Sequence, residues 1–110
     1  MHIHHIALWT AQLEELKNFY IRYFNGISNE KYVNSLKGFE SYLISFKSGG
    51  SQREIMRRKD TTTQQHTVPS IGLAHFSFST GSKETVLKLT EQLRKDGFTI
   101  TSATSITGDG

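Results

Sequence analysis

His5-Ile6-Ala7-Leu8-Trp9-Thr10 returns 70 residues later as His75-Phe76-Ser77-Phe78-Ser79-Thr80. Each copy alternates in the period of a β-strand, with its histidine at the same place. Each then runs through a helical pattern to a glycine: 21 residues separate His5 from Gly26, and 22 separate His75 from Gly97. An internal repeat of this kind marks a chain built from two copies of one supersecondary unit.

Working outward from the first copy, residues 2–9 read as a strand, with Thr10 as the N-cap of the helix that follows. Leu13, Leu16, Phe19, Tyr20, Tyr23 and Phe24 form one apolar stripe along that helix, and Asn25-Gly26 ends it, with Gly26 suited to a left-handed cap. Three extended segments are then expected: a weak one over 27–34, a strong one over 39–47, and one over 52–58 after the Ser48-Gly49-Gly50-Ser51 turn. Residues 59–70 are polar, contain three consecutive threonines and the only proline, and read as a linker. The second copy gives a strand over 71–80, a helix opened by Gly81-Ser82 and closed by Asp96-Gly97, and a strand over 98–103. Val86, Leu87, Leu89, Thr90 and Leu93 mark the packed side of this helix. The fold class is therefore α+β: a β-α-β-β-β module over 1–58, the linker, and a second module over 71–110 that ends at a Thr107-Gly108-Asp109-Gly110 turn signal. By the repeat, about 20 further residues holding two strands would complete it.

The 110-residue length suits one domain of two modules, and the 35% hydrophobic and 21% charged content suits a soluble globular chain. With no cysteine, any metal site must use histidine, carboxylate or water, and a cytoplasmic setting is expected. No apolar run reaches the roughly 20 residues of a membrane span, so no membrane partner is expected. The net charge of +3 raises nucleic acid, but only Arg53, Arg57, Arg58 and Lys59 cluster. That cluster reads as a solvated strand end or a surface that meets an anionic substrate, and no nucleic-acid partner is expected.

Alternation puts His5, Ala7 and Trp9 on one strand face, opposite Ile6 and Leu8. It likewise puts His75, Ser77 and Ser79 opposite Phe76 and Phe78. Both histidines thus leave the core side and stand beside small residues, with room for a ligand. Glu54 adds a carboxylate from the last strand of the first module; Arg53 and Arg57 fall on the face opposite to it. Two imidazoles and a carboxylate suit a divalent ion: Zn, Ni, Mn or Fe. Trp9 and Tyr42 are candidates to line a substrate pocket, or else to pack at a sheet edge or dimer contact. His2 and His4 are expected on the face opposite His5, and His66 in solvent. No Gly-x-Ser-x-Gly elbow, Walker loop or dinucleotide fingerprint occurs.

The strand start His5-Ile6-Ala7-Leu8, the helix with Phe19-Tyr20 and Phe24-Asn25-Gly26, the segment Gly38-Phe39-Glu40-Ser41-Tyr42, the strand Glu54-Ile55-Met56 and the strand Gly72-Leu73-Ala74-His75-Phe76-Ser77 together resemble the vicinal oxygen chelate superfamily of glyoxalases, bleomycin resistance proteins and extradiol dioxygenases. The resemblance covers nearly the whole chain. It implies two βαβββ modules cupping a divalent metal, with one ligand from the first and one from the fourth strand of each. Here these are His5, Glu54 and His75, with the fourth position falling past Gly110. It implies a metal-dependent lyase or isomerase like glyoxalase I, acting on a small substrate with vicinal oxygens and stabilising an enediolate. Glu54 would be the catalytic proton shuttle, and a homodimer is expected. The alternatives are an extradiol dioxygenase-like enzyme and a non-catalytic small-molecule binder of the bleomycin-resistance type.

Overall fold

A computed structural model describes residues 1–63 and 68–101. The chain divides into two units, Met1–Gln65 and His66–Gly110, the division falling inside the stretch read as a linker. The fold is α+β.

In the first unit the order is β1 (His5–Trp9), α1 (Leu13–Phe24), β2 (Gly26–Ser28), β3 (Tyr32–Asn34), β4 (Phe39–Phe46) and β5 (Gln52–Arg58). The five strands form one sheet in the order β1-β5-β4-β2, with β3 also paired to β4. The crossover through α1 makes β1 parallel to β5; the other pairs are antiparallel. The segment expected over 27–34 is broken in two by Asn29. Its Oδ1 accepts the Leu43 N–H at 2.8 Å while its own N–H donates to the Leu43 carbonyl at 3.1 Å. A side chain takes a place in the ladder that backbone would otherwise fill, and the strand bends there.

Ile6 and Leu8 are half-buried on the side of the sheet that α1 covers. Leu13 and Tyr20 of α1 are buried, as are Tyr42 and Ile44 of β4 and Ile55 of β5. Ile44 and Ile55 have no exposed surface, and burying such a side chain contributes about 1.5–3 kcal/mol.

Both ends of α1 differ from expectation by a residue or two. Thr10 is not the N-cap: its N–H still extends the sheet by donating to the Met56 carbonyl at 2.8 Å, so the helix starts later, with Gln12 at the cap. The Thr10 hydroxyl accepts the Gln12 N–H at 2.9 Å instead. At the other end Asn25, not Gly26, takes the left-handed conformation, with φ of 55°. Gly26 begins β2, where a Cβ would lie 2.7 Å from Ile44 Cγ2.

The second unit contains α2 (Lys83–Lys95). Ser82 caps it through its hydroxyl, which accepts the Thr85 N–H at 3.1 Å, and Gly97 follows the end with φ of 94°. Leu89, Thr90 and Leu93 are half-buried, whereas Val86 and Leu87, expected on the packed side, are exposed. The strands expected over 71–80 and 98–103 do not form in residues 71–80 or 98–101; residues 102–103 and the closing turn signal lie outside the described residues. A strand is defined by a neighbour that takes its hydrogen bonds, and among the described residues of this unit none is paired in that way. Among the described residues the β-α-β-β-β pattern is thus formed in the first unit, its second strand split into β2 and β3. The alternation within 75–80 survives: Phe76, Phe78 and Thr80 are half-buried, while His75, Ser77 and Ser79 are exposed.

Candidate metal centre

Parallel pairing sets Ala7 of β1 opposite Glu54 of β5, one pleat from His5. His5 and Glu54 then lean together on the face not covered by α1. His5 Nε2 lies 3.6 Å from Glu54 Oε2, with side chains 45% and 32% exposed. That separation is close to the bite of two donors each about 2.1 Å from one ion, and the exposure leaves the pair open to a ligand. An imidazole and a carboxylate fit a divalent first-row metal, so His5 and Glu54 are chemically able to supply two of its ligands.

His4 does not follow the face assignment made for it. Its carbonyl still accepts the Gln52 N–H at 2.9 Å, but its ring turns toward its neighbour: His4 Nδ1 lies 2.9 Å from His5 Nδ1 with the rings edge to face. His4 Nε2 is in turn 3.3 Å from Gln52 Nε2.

Trp9 shares the open face with His5 and Glu54. Its ring meets Phe39 edge to face at 6.2 Å, and Phe39 meets Tyr32 at 5.9 Å. Trp9, Tyr32, Asn34, Lys37, Phe39 and Arg58 line a hollow of about 260 Å³.

Tyr42 is not brought together with these residues. It pairs with Ile55 on the α1 side, where it is buried and its hydroxyl donates to Glu14. His75 lies on the exposed side of its segment in the second unit, and His66 lies outside the described residues. Among the described residues no three histidine, aspartate or glutamate side chains gather at metal-binding separation. No helix among them is long and apolar enough to cross a membrane.

The basic cluster of the sequence divides between the two faces. Arg53 is buried and donates to the Ser51 and Gln52 carbonyls, Arg57 reaches Glu40 at 3.7 Å on the α1 side, and Arg58 turns to the open face.

Apart from Trp9, the members of the hollow were missed from sequence because they come from four strands and a turn. The pairings of Asn34 with Phe39, of Phe39 with Arg58 and of Trp9 with Met56 set them together. The signal that could have found it is the parity of Phe39 with Ser41, opposite the buried Tyr42 and Ile44.

The model of the Glyoxalase/Bleomycin resistance protein/Dioxygenase superfamily matches residues 2–110. The chain belongs to that superfamily. The match spans both copies of the repeat. A search of the curated proteins found no match.

Proposed function

We propose that this member of the superfamily is a metal-dependent enzyme of the glyoxalase I type, a lyase or isomerase acting on a small substrate with adjacent oxygens. The observation that carries the reading is the 3.6 Å approach of His5 Nε2 to Glu54 Oε2 on the open face of the sheet. His5 and Glu54 would hold a divalent ion (Zn, Ni, Mn or Fe) together with His75 of the second copy. When bound, the ion supplies Lewis acidity toward the substrate oxygens. By analogy with the superfamily, Glu54 would be the proton shuttle; its carboxylate stands on a strand paired on both sides and is partly exposed. The parallel pairing of β1 with β5 sets the register of His5. Assembly into a homodimer and a cytoplasmic location belong to the same proposal.

The test is metal content by elemental mass spectrometry on untagged protein and on His75→Ala, followed by turnover of glutathione hemithioacetals. One divalent ion per chain, lost in the variant, is the supporting result. Metal-free wild type after divalent-ion loading overturns the reading and leaves a non-catalytic binder.

The second reading, a small-molecule binding protein of the bleomycin-resistance type, is favoured by the aromatic hollow beside Trp9. Ligand binding without metal is its signature.

A further inference from the structure

The hollow at Trp9 has two distinct parts. Its walls are aromatic: Phe39 sits between Trp9 and Tyr32, in edge contact with both. Its polar lining includes two cations, Lys37 and Arg58. The Asn34 side-chain oxygen is used by the turn, accepting the Lys37 N–H at 3.3 Å, which leaves its NH₂ to donate. Lys37 has no carboxylate within ion-pair reach among the described residues. Arg58 gives Nε and one Nη2 hydrogen to Asp60, at 2.9 and 2.8 Å, and keeps the rest of its fork. No carboxylate lines the hollow.

A cavity with π-faces and two cations in its polar part selects an aromatic ring bearing an anionic, acceptor-only group. A cation meets two like charges there. At about 260 Å³ the hollow lies just below the roughly 300–1,000 Å³ of sites for drug-sized ligands, so one ring fits and a dinucleotide does not.

Position separates the hollow from the His5–Glu54 pair. His5 to Trp9 and Glu54 to Arg58 are each four strand residues, on the order of 13 Å at about 3.3 Å per residue. A ring seated in the hollow therefore does not touch the pair. We propose that the hollow is a specificity pocket that holds the aromatic carboxylate end of a ligand, away from the oxygens that react. This names the ligand class of the site under Proposed function and rests on that reading only for the connection to the pair.

Trp9 is the only tryptophan, so its emission and its indole N–H resonance report on the hollow directly. The full chain is titrated, with a chelator present, against phenylacetate, its neutral isostere phenylacetamide and its cationic counterpart phenethylamine. Phenylacetate produces a saturable change at least about tenfold tighter than phenylacetamide, the factor given by a hydrogen bond to a charged group. Phenethylamine produces none. Lys37→Gln and Arg58→Gln each weaken phenylacetate and leave phenylacetamide unchanged, a pattern that unfolding does not produce. Equal affinity for carboxylate and amide overturns the proposal, as does silence of both Trp9 signals to all three probes. Because the chelator removes the metal, phenylacetate binding by a chain that never takes up metal supports the pocket while removing the enzyme reading. A metal-loaded chain blind to phenylacetate does the reverse.

Discussion

The Tyr42 hydroxyl spans from β4 to α1 and lies 2.9 and 3.0 Å from the two carboxylate oxygens of Glu14. Lys31 approaches the same carboxylate at 2.6 Å and Lys17 at 3.4 Å, and both ammonium groups lie over the Tyr42 ring. One acid on the first turn of α1 thus gathers a phenol from β4, a cation from the next turn of the same helix and a cation from the segment between β2 and β3.

This arrangement gives the fold a defined acid response. Hydrogen bonding from Lys31, then from Tyr42, pulls the Glu14 carboxyl from 4.5 down to about 2. A depressed folded-state value contributes stability that is complete above the unfolded value of 4.5 and is lost as pH falls toward 2. Glu14 raises Lys31 in return, so a matching contribution fades at alkaline pH above 10.5. Urea midpoints measured from pH 7 to pH 2 should fall more steeply for wild type than for Glu14→Gln. Parallel curves would show that Glu14 is not coupled to folding.

Gly26→Ala should destabilise by about 1–3 kcal/mol, because the new methyl meets Ile44 Cγ2 at 2.7 Å. Ile44→Ala removes that atom and costs about 2–5 kcal/mol alone. The double variant should cost less than the sum, since the cavity accepts the methyl. Simple additivity by denaturant titration contradicts the close approach.

Ser82→Ala should lower the stability of α2 by about 1 kcal/mol through loss of the hydroxyl that accepts the Thr85 N–H. Ser82→Asp should restore it. Amide exchange within Lys83–Lys95 is the readout, and unchanged protection in the alanine variant counts against the cap.

Glu54→Gln should reduce bound metal at least about tenfold, while Arg57→Gln, on the opposite face and paired with Glu40, should leave it unchanged. Equal loss in both variants would mean a general effect on the sheet.

Much of the first unit was legible in the sequence. The Gln52–Arg58 strand has the expected bounds, and the outward run of His5, Ala7 and Trp9 follows from alternation alone. What escaped depended on partners distant in sequence. Asn29 splits a strand only because Leu43 arrives beside it, and Thr10 delays the helix only because the Met56 carbonyl holds its N–H. Tyr42 reads as a pocket aromatic until its register with Ile55 turns it toward α1. The strands of the second copy illustrate the same limit: residues 71–80 keep the period of a strand without a ladder to belong to. The closeness of His5 to Glu54 needed the parallel register, which no local pattern contains.

The two members of the candidate centre differ in how their backbones are held. Glu54 rides on β5, tied to β1 on one side and β4 on the other, whereas His5 rides on β1, the last strand in the order and tied to β5 alone among the described residues. The carboxylate is a jaw held from both sides and the imidazole a jaw held from one. Whatever fastens the outer edge of β1 tightens the grip, and whatever loosens it lets the grip open, so the sheet's boundary strand sets how firmly anything between the two is held.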